Sequence, residues 1–170
     1  MADDPSIAAA RKHGLPPIAR ADARLLLLGS LPGEASLAAE RYYAHPRNHF
    51  WRLVEVVIEE PLEALAYEVR LERLATHGIA LWDVVHAARR RGSLDQDMRE
   101  IEQRDLAGFV AKLPQLRCIG FNGATAARLG RRALHGSPLA LVDLPSSSPA
   151  YTLSFAGKAD RWRILRAFLD

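Results

Sequence analysis

The chain alternates between short unbroken apolar runs and longer stretches whose apolar positions recur with a helical spacing. The first run is four leucines, Leu25, Leu26, Leu27 and Leu28, stopped by Gly29. Leucine favours helices, but a run this short, bounded by Gly29 and Pro32, predicts a fully buried strand. From Phe50 the period changes. Apolar side chains at Phe50, Trp51, Leu53, Val54, Val57 and Ile58 predict a helix over 50–60 with one buried face, and Asn48 stands where an N-cap belongs. After Pro61, the positions Leu62, Leu65, Ala66, Val69 and Leu74 predict a second helix, stopped by Gly78.

The alternation continues to the end of the chain. Residues 79–85 (I-A-L-W-D-V-V) predict a second strand with Asp83 near its end. Residues 95–100 are polar and read as a loop entering a helix over 101–113, which Pro114 closes. A third buried strand is expected over 116–121, an alanine-rich helix over 124–134 and a fourth strand over 138–144. Residues 157–169 close the chain as an amphipathic helix through Trp162, Leu165, Phe168 and Leu169. Residues 1–23 read as an N-terminal arm or loop, leaving 24–170 as a single α/β domain. Strands alternating with helices imply a parallel sheet covered by helices, here a three-layer α/β/α sandwich around four parallel strands. The loops after the four strands then share one edge of the sheet. They are the segment 29–33, the stretch from Asp83 onward, Asn122-Gly123, and the turn 145–149. Ligands in open α/β sheets bind at that edge.

Composition narrows the class. A chain of 170 residues fits one domain and can bury a substantial core. The net charge is +3 and the pI about 9.3, which permits a polyanionic partner without demanding one. Of the 23 basic residues, all but Lys12, Lys112 and Lys158 are arginines, whose planar fork suits phosphate. The single cysteine, Cys118, excludes an internal disulfide framework and a four-cysteine metal or iron–sulfur site. No apolar stretch is long enough to span a bilayer, and the polar N-terminus lacks the pattern of a secretory signal, so a cytoplasmic protein is expected.

The motifs give a sharper picture. G-S-L-P-G (Gly29, Ser30, Leu31, Pro32, Gly33) follows the first strand, and glycine lets a backbone approach a ligand closely. Y-Y-A-H-P-R-N-H-F-W follows it, then G-I-A-L-W-D-V, the F-N-G turn and L-P-S-S-S-P-A. Taken in order from Leu25 to Tyr151, these resemble the uracil-DNA glycosylase superfamily, and within it the hypoxanthine-DNA glycosylase branch. The resemblance implies a four-stranded parallel sheet between helices. It also implies a monofunctional repair enzyme that flips a deaminated base from damaged DNA and cuts its glycosidic bond, because a stacked base hides that bond.

The same resemblance implies roles by position. Residues 29–33 line the sugar and base pocket. In many relatives an Asn or Asp in that loop positions the attacking water; Leu31 stands there and cannot. In the hypoxanthine branch the catalytic amide is the Asn of H-P-x-N, which the resemblance places at Asn48, and the aromatic that stacks on the flipped base matches Tyr43. Ser146, Ser147, Ser148 and Pro149 form the turn that grips the other side of the lesion, with Ser146 where relatives usually carry Asn or His.

Residue types support an expected chemistry. Breaking an N-glycosidic bond builds positive charge on the sugar and negative charge on the base, so groups that favour that state accelerate it. Asn48 can orient water but is a poor base. The backbone N–H groups of Ser30 and Tyr43 could donate to the base oxygen. His45, Asp83 and Asn122 are further candidates for substrate contact. Each also has a plain reading: a structural hydrogen-bonder, a cap or arginine partner, and a turn residue. Arg89 and Arg90, in the run ending at Arg91, are candidates for DNA phosphate or a solvated surface run. The three lysines lie outside the converging loops by sequence, so the amine nucleophile of a lyase is not expected. No metal or cofactor is expected, and a monomer is. Two other readings stand beside this one: the same chemistry on uracil, and a non-catalytic DNA or nucleotide binder on the same fold. A phosphate-handling enzyme ranks last, because residues 29–33 lack a P-loop lysine and a dinucleotide fingerprint.

Overall fold

The computed structural model describes residues 10–170; residues 1–9 of the expected N-terminal arm lie outside the described part. Its centre is a four-stranded parallel sheet. Strand β1 (Arg11–His13) precedes it in the chain and lies elsewhere. The sheet comprises β2 (Leu25–Gly29), β3 (Ile79–Asp83), β6 (Cys118–Asn122) and β7 (Ala140–Leu144), in the spatial order β3-β2-β6-β7. The leucine run explains the layering. Leu25 and Leu27 pack into one apolar cluster, and Leu26 and Leu28 into another on the opposite face. Side chains alternate across a strand, so a four-leucine run is stable only where both faces are covered. Each buried leucine contributes about 1.5–3 kcal/mol relative to an exposed one.

Helices supply the cover. They are α1 (Glu34–Ala39), α2 (Phe50–Ile58), α3 (Tyr67–Thr76), α4 (Leu106–Val110), α5 (Ala124–Ala133) and α6 (Phe155–Trp162). A 3-10 segment, Arg163–Phe168, continues α6 where a single helix was expected. The face with Leu25 and Leu27 is built from α2, α6 and the segment after it, through Phe50, Leu53, Trp162 and Leu165. The other face takes Ala126, Leu129 and Leu106 from α5 and α4. The three-layer α/β/α expectation holds.

A second sheet was not expected. Strand β1 pairs antiparallel with β4 (Val85–Arg89), which pairs with β5 (Arg99–Gln103). The stretch 79–85, expected as one strand, breaks at Val84 and feeds both sheets. Residues 99–103 are a strand rather than the start of a helix, and helix α4 is only Leu106–Val110. Strand β5 is exposed along its whole length, so burial leaves no apolar alternation in R-E-I-E-Q to announce it. Part of the expected arm is thereby tied down: β1 joins β4, and Ile18 bridges to Leu81.

Candidate active site

The parallel register sets four strand ends level. Gly29 pairs with Asp83, and Asn122 with Leu144. What leaves those ends is therefore brought to one edge, as the sequence pattern implied. Around Gly29 the approach is close. A Cβ there would lie 2.6 Å from Asp83 Oδ1 and 3.0 Å from Tyr43 Oη. Glycine is required because a carboxylate and a phenol occupy the space over its α-carbon.

Tyr43 joins two groups of residues. Its ring stacks on Phe50, with centroids 3.8 Å apart and planes 13° from parallel. Its hydroxyl accepts from Asn122 Nδ2 at 3.3 Å. Its carbonyl accepts from Trp51 Nε1 at 3.2 Å. Its φ is 53°, the left-handed region, which a bulky residue occupies at a cost of about 1–2 kcal/mol. The Tyr43 hydroxyl reaches the sheet edge, beside Gly29 and Asn122. Burial pushes the phenol pKa up, and Asp83 adds to it, so Tyr43 stays protonated at neutral pH.

Asn122 braces the turn after β7. Its Oδ1 accepts from the Ser147 N–H at 2.8 Å, and its Nδ2 donates to Ser147 Oγ at 2.9 Å. Ser147 is 1% exposed. Gly123, at φ 101°, then turns the chain into α5. Ser146 and Ser148 close local turns: Ser146 Oγ accepts from the Ser148 N–H, and Ser148 Oγ from the Ala150 N–H, both at 3.1 Å. Pro149 is exposed at the tip.

Asn48 is not the N-cap. His49 takes that position. Asn48 sits one residue further out, and its Oδ1 accepts from the Phe50 N–H at 2.9 Å. The side chain thus serves the helix start while remaining half-buried at the surface of a cavity. That cavity, about 550 Å³, is lined by Tyr43, His45, Asn48, Trp51, Tyr67 and Arg70 among others. Its volume lies within the usual range for small-ligand sites. His45 Nδ1 accepts from the Arg47 N–H at 3.1 Å, the structural role expected as its plain reading. The segment 29–33 and the turn 146–149 do not line this cavity. The turn meets Asn48 through its neighbour, because the His49 N–H donates to Ser147 O at 2.9 Å.

Several side chains have interior roles. Leu31 is 6% exposed and belongs to the apolar cluster with Leu26 and Leu28. Ser30 Oγ donates to Asp95 Oδ1 at 2.6 Å, which holds the segment after β4 against the first loop. Gly33 lies against Ser93, whose Oγ would be 3.1 Å from an added Cβ. The expectation that Arg90 holds phosphate at the surface is corrected. Arg90 is 1% exposed and donates to Pro32 O at 2.5 Å and Leu31 O at 3.4 Å. Its charge fixes the backbone of the first loop. Arg89 pairs with Glu100 across the second sheet at 2.5 Å. Asp83 is 3% exposed, its Oδ2 has no hydrogen-bond partner among the described residues, and burial raises its pKa to about 7.

Lys158 is the residue that sequence reasoning misplaced. It is fully buried, and its Nζ donates to Ser148 O and to His49 Nδ1, both at 3.2 Å. It therefore does reach the converging loops. A signal existed: Phe155, Lys158, Ala159 and Trp162 have the spacing of one helix face, and that face is the buried one. Among the described residues, no group of three His, Cys, Asp or Glu side chains could hold a metal ion, and no helix is long and apolar enough to cross a membrane.

Comparisons with known proteins agree with this architecture. A family model described as the Uracil DNA glycosylase superfamily matches residues 16–170. A protein of Methanosarcina acetivorans called hypoxanthine DNA glycosylase is 38% identical over 151 residues, which is 89% of this chain and 95% of that protein. A Methanosarcina barkeri protein of the same name is 39% identical over 113 residues, 66% of this chain and 72% of its own. A solution NMR structure from Methanosarcina acetivorans, described as a candidate uracil DNA glycosylase, superposes with a TM-score of 0.85 at 36% identity. That match covers 94% of this chain and 99% of the other. A shared motif order, a shared fold and this degree of identity lead to one conclusion: the chain belongs to the uracil DNA glycosylase superfamily.

Proposed function

We propose that this chain is a monofunctional DNA glycosylase that extrudes hypoxanthine from deoxyinosine-containing DNA and hydrolyses its N-glycosidic bond. The observation that carries the reading is that Asn48 and Tyr43 line one cavity of about 550 Å³. The hypoxanthine DNA glycosylases of two Methanosarcina species, at 38% and 39% identity, support the choice of base.

The chemistry follows from the residue types. Phe50 covers one face of the Tyr43 ring, and the opposite face takes the everted base. A base on an aromatic ring contributes about 1–3 kcal/mol. The phenol is neutral and held by Asn122, so the ring is presented at a fixed angle. Leu31 is packed among apolar residues, so orienting the attacking water falls to Asn48. Its Oδ1 is fixed by the Phe50 N–H and retains a lone pair for the water. As charge separates, the backbone N–H of Tyr43, a residue of the cavity, serves the departing base, and a donor fixed in advance favours that state over the ground state. Hypoxanthine presents a carbonyl oxygen where adenine presents an amino group, so a fixed donor at that edge selects the deaminated base. DNA is the partner on this reading, the enzyme acts as a monomer, and the cytoplasm is its compartment.

The test is a panel of duplexes carrying one deoxyinosine, deoxyuridine or deoxyxanthosine, incubated with excess protein and then treated with alkali to break abasic sites. Strand breaks from the inosine duplex, formed faster than from the others, are the expected result. Faster release of uracil would assign the same chemistry to a different base. Binding without abasic product on any duplex would make the protein a non-catalytic DNA binder.

A further inference from the structure

The charges near the two loops are unevenly matched. Arg11, Lys12, Arg20, Arg41, Arg89, Arg131, Arg163 and Arg166 each have a carboxylate partner. Lys158 and Arg52 have none among the described residues. Lys158 is fully buried, and among the described residues its Nζ meets His49 Nδ1, Ser148 O and the face of Tyr151. Arg52 is exposed, and its guanidinium lies 4.2 Å above the centre of the Phe155 ring. The His49 ring meets the same Phe155 edge-on at 5.4 Å. One phenyl ring therefore brings His49 and Arg52 together, beside Asn48 on one side and the 146–149 turn on the other.

Lys158 also determines what His49 offers. A lysine ammonium can only donate, so the His49 Nδ1 that it meets must accept. The ring proton then resides on Nε2, which makes no bond to the protein among the described residues. Burial lowers the pKa of His49, and Lys158 from α6 and Arg52 from α2 lower it further, against the opposing effect of Glu63 from the α2–α3 connection. At neutral pH the ring is a fixed, uncharged donor.

We propose that His49 Nε2–H and the Arg52 guanidinium, backed by the buried Lys158, clamp a backbone phosphate of the strand that carries the extruded nucleotide. The proposal rests on the reading of this chain as a DNA glycosylase. It gives the phosphate contact to this seam, because Arg90 is buried against Leu31 and Pro32 and Arg89 is paired with Glu100. A phosphodiester fits both partners: guanidinium forks suit phosphate oxygens, and a neutral imidazole N–H adds a directed bond. It also supplies an anionic partner, which neither Arg52 nor Lys158 finds in the nearby Glu63 among the described residues.

The test is a salt titration of binding to a short deoxyinosine duplex, followed by fluorescence anisotropy, for wild type, Arg52→Met and Arg52→Lys. Losing one phosphate contact should make the slope of log affinity against log salt shallower by about 0.9. Arg52→Met should show that change, and Arg52→Lys should keep most of the wild-type slope. An unchanged slope in Arg52→Met overturns the clamp. So does an equal loss in both variants, which would trace the effect to packing on Phe155. Long-range proton–nitrogen NMR of the imidazole should show His49 as the Nε2–H tautomer at neutral pH; an Nδ1–H tautomer or a charged ring also overturns it. If the wild-type protein excises hypoxanthine while Arg52→Met keeps the slope, only the clamp fails. If the wild type neither binds nor cuts the duplex, the glycosylase reading fails with it.

Discussion

Replacing Asp83 with asparagine isolates the electrostatic strain at the carboxyl end of β3. The side chain is 3% exposed, and one of its oxygens has no partner among the described residues. Burial raises its pKa from 3.8 to about 7; Asp95 adds to the rise, while Arg104 and Arg90 oppose it. In the unfolded chain the carboxyl returns to its ordinary value. Between about pH 4 and pH 7 the folded state therefore holds a proton that the unfolded state has released. More protons on the native state mean that stability falls as pH rises through this window. At 1.36 kcal/mol per pH unit the whole effect is about 4 kcal/mol. Asparagine keeps the shape and removes the titration. Urea melts of both proteins, read across the window, should show the variant gaining on wild type by up to about 1.4 kcal/mol per pH unit, then levelling above about pH 7. A difference that is flat with pH would refute burial as the cause. A difference that shrinks with rising pH would mean that Arg104 stabilises the ionised carboxylate.

Two further predictions concern the site. Asn122→Ala should orphan the Ser147 N–H and Oγ in a nearly dry environment, costing about 1–3 kcal/mol for each group; a urea midpoint unchanged from wild type would contradict it. Borohydride should trap no covalent adduct on deoxyinosine DNA, because the amine at the 146–149 turn, Lys158, is fully buried and bound to His49 and Ser148, and Lys12 beside the first loop is bound to Glu34 and Gly92; a trapped adduct lost in Lys158→Met would show lyase chemistry instead.

The four parallel strands were legible as short apolar runs, three of them cut off by a turn signal; the end of β3 was not legible, because Val84 and Val85 continue the run without one. Their convergence followed from the alternation with helices. Helix α1 was not legible: it has six residues and buries only Ser36 fully, so it leaves no periodic stripe. The hairpin of β4 and β5 was hidden for the opposite reason, since β5 buries nothing. Arg90 sits in a run of three arginines that looks like surface, and only its partners across 58 and 59 residues of chain make it interior. The bond between Lys158 and His49 spans 109 residues, so no local pattern could suggest it. Motif order rather than spacing pointed to Asn48 and Tyr43, which line one cavity. Neither residue type announces a cavity by itself.

The central claim is that the Asn48 carboxamide drives base release in the space it shares with Tyr43. Single-turnover release of hypoxanthine by Asn48→Ala, with duplex binding measured on the same protein, tests it most directly. A rate lower by about 10²–10³-fold with binding largely kept is the expected result. A variant that cuts as fast as wild type would contradict the claim.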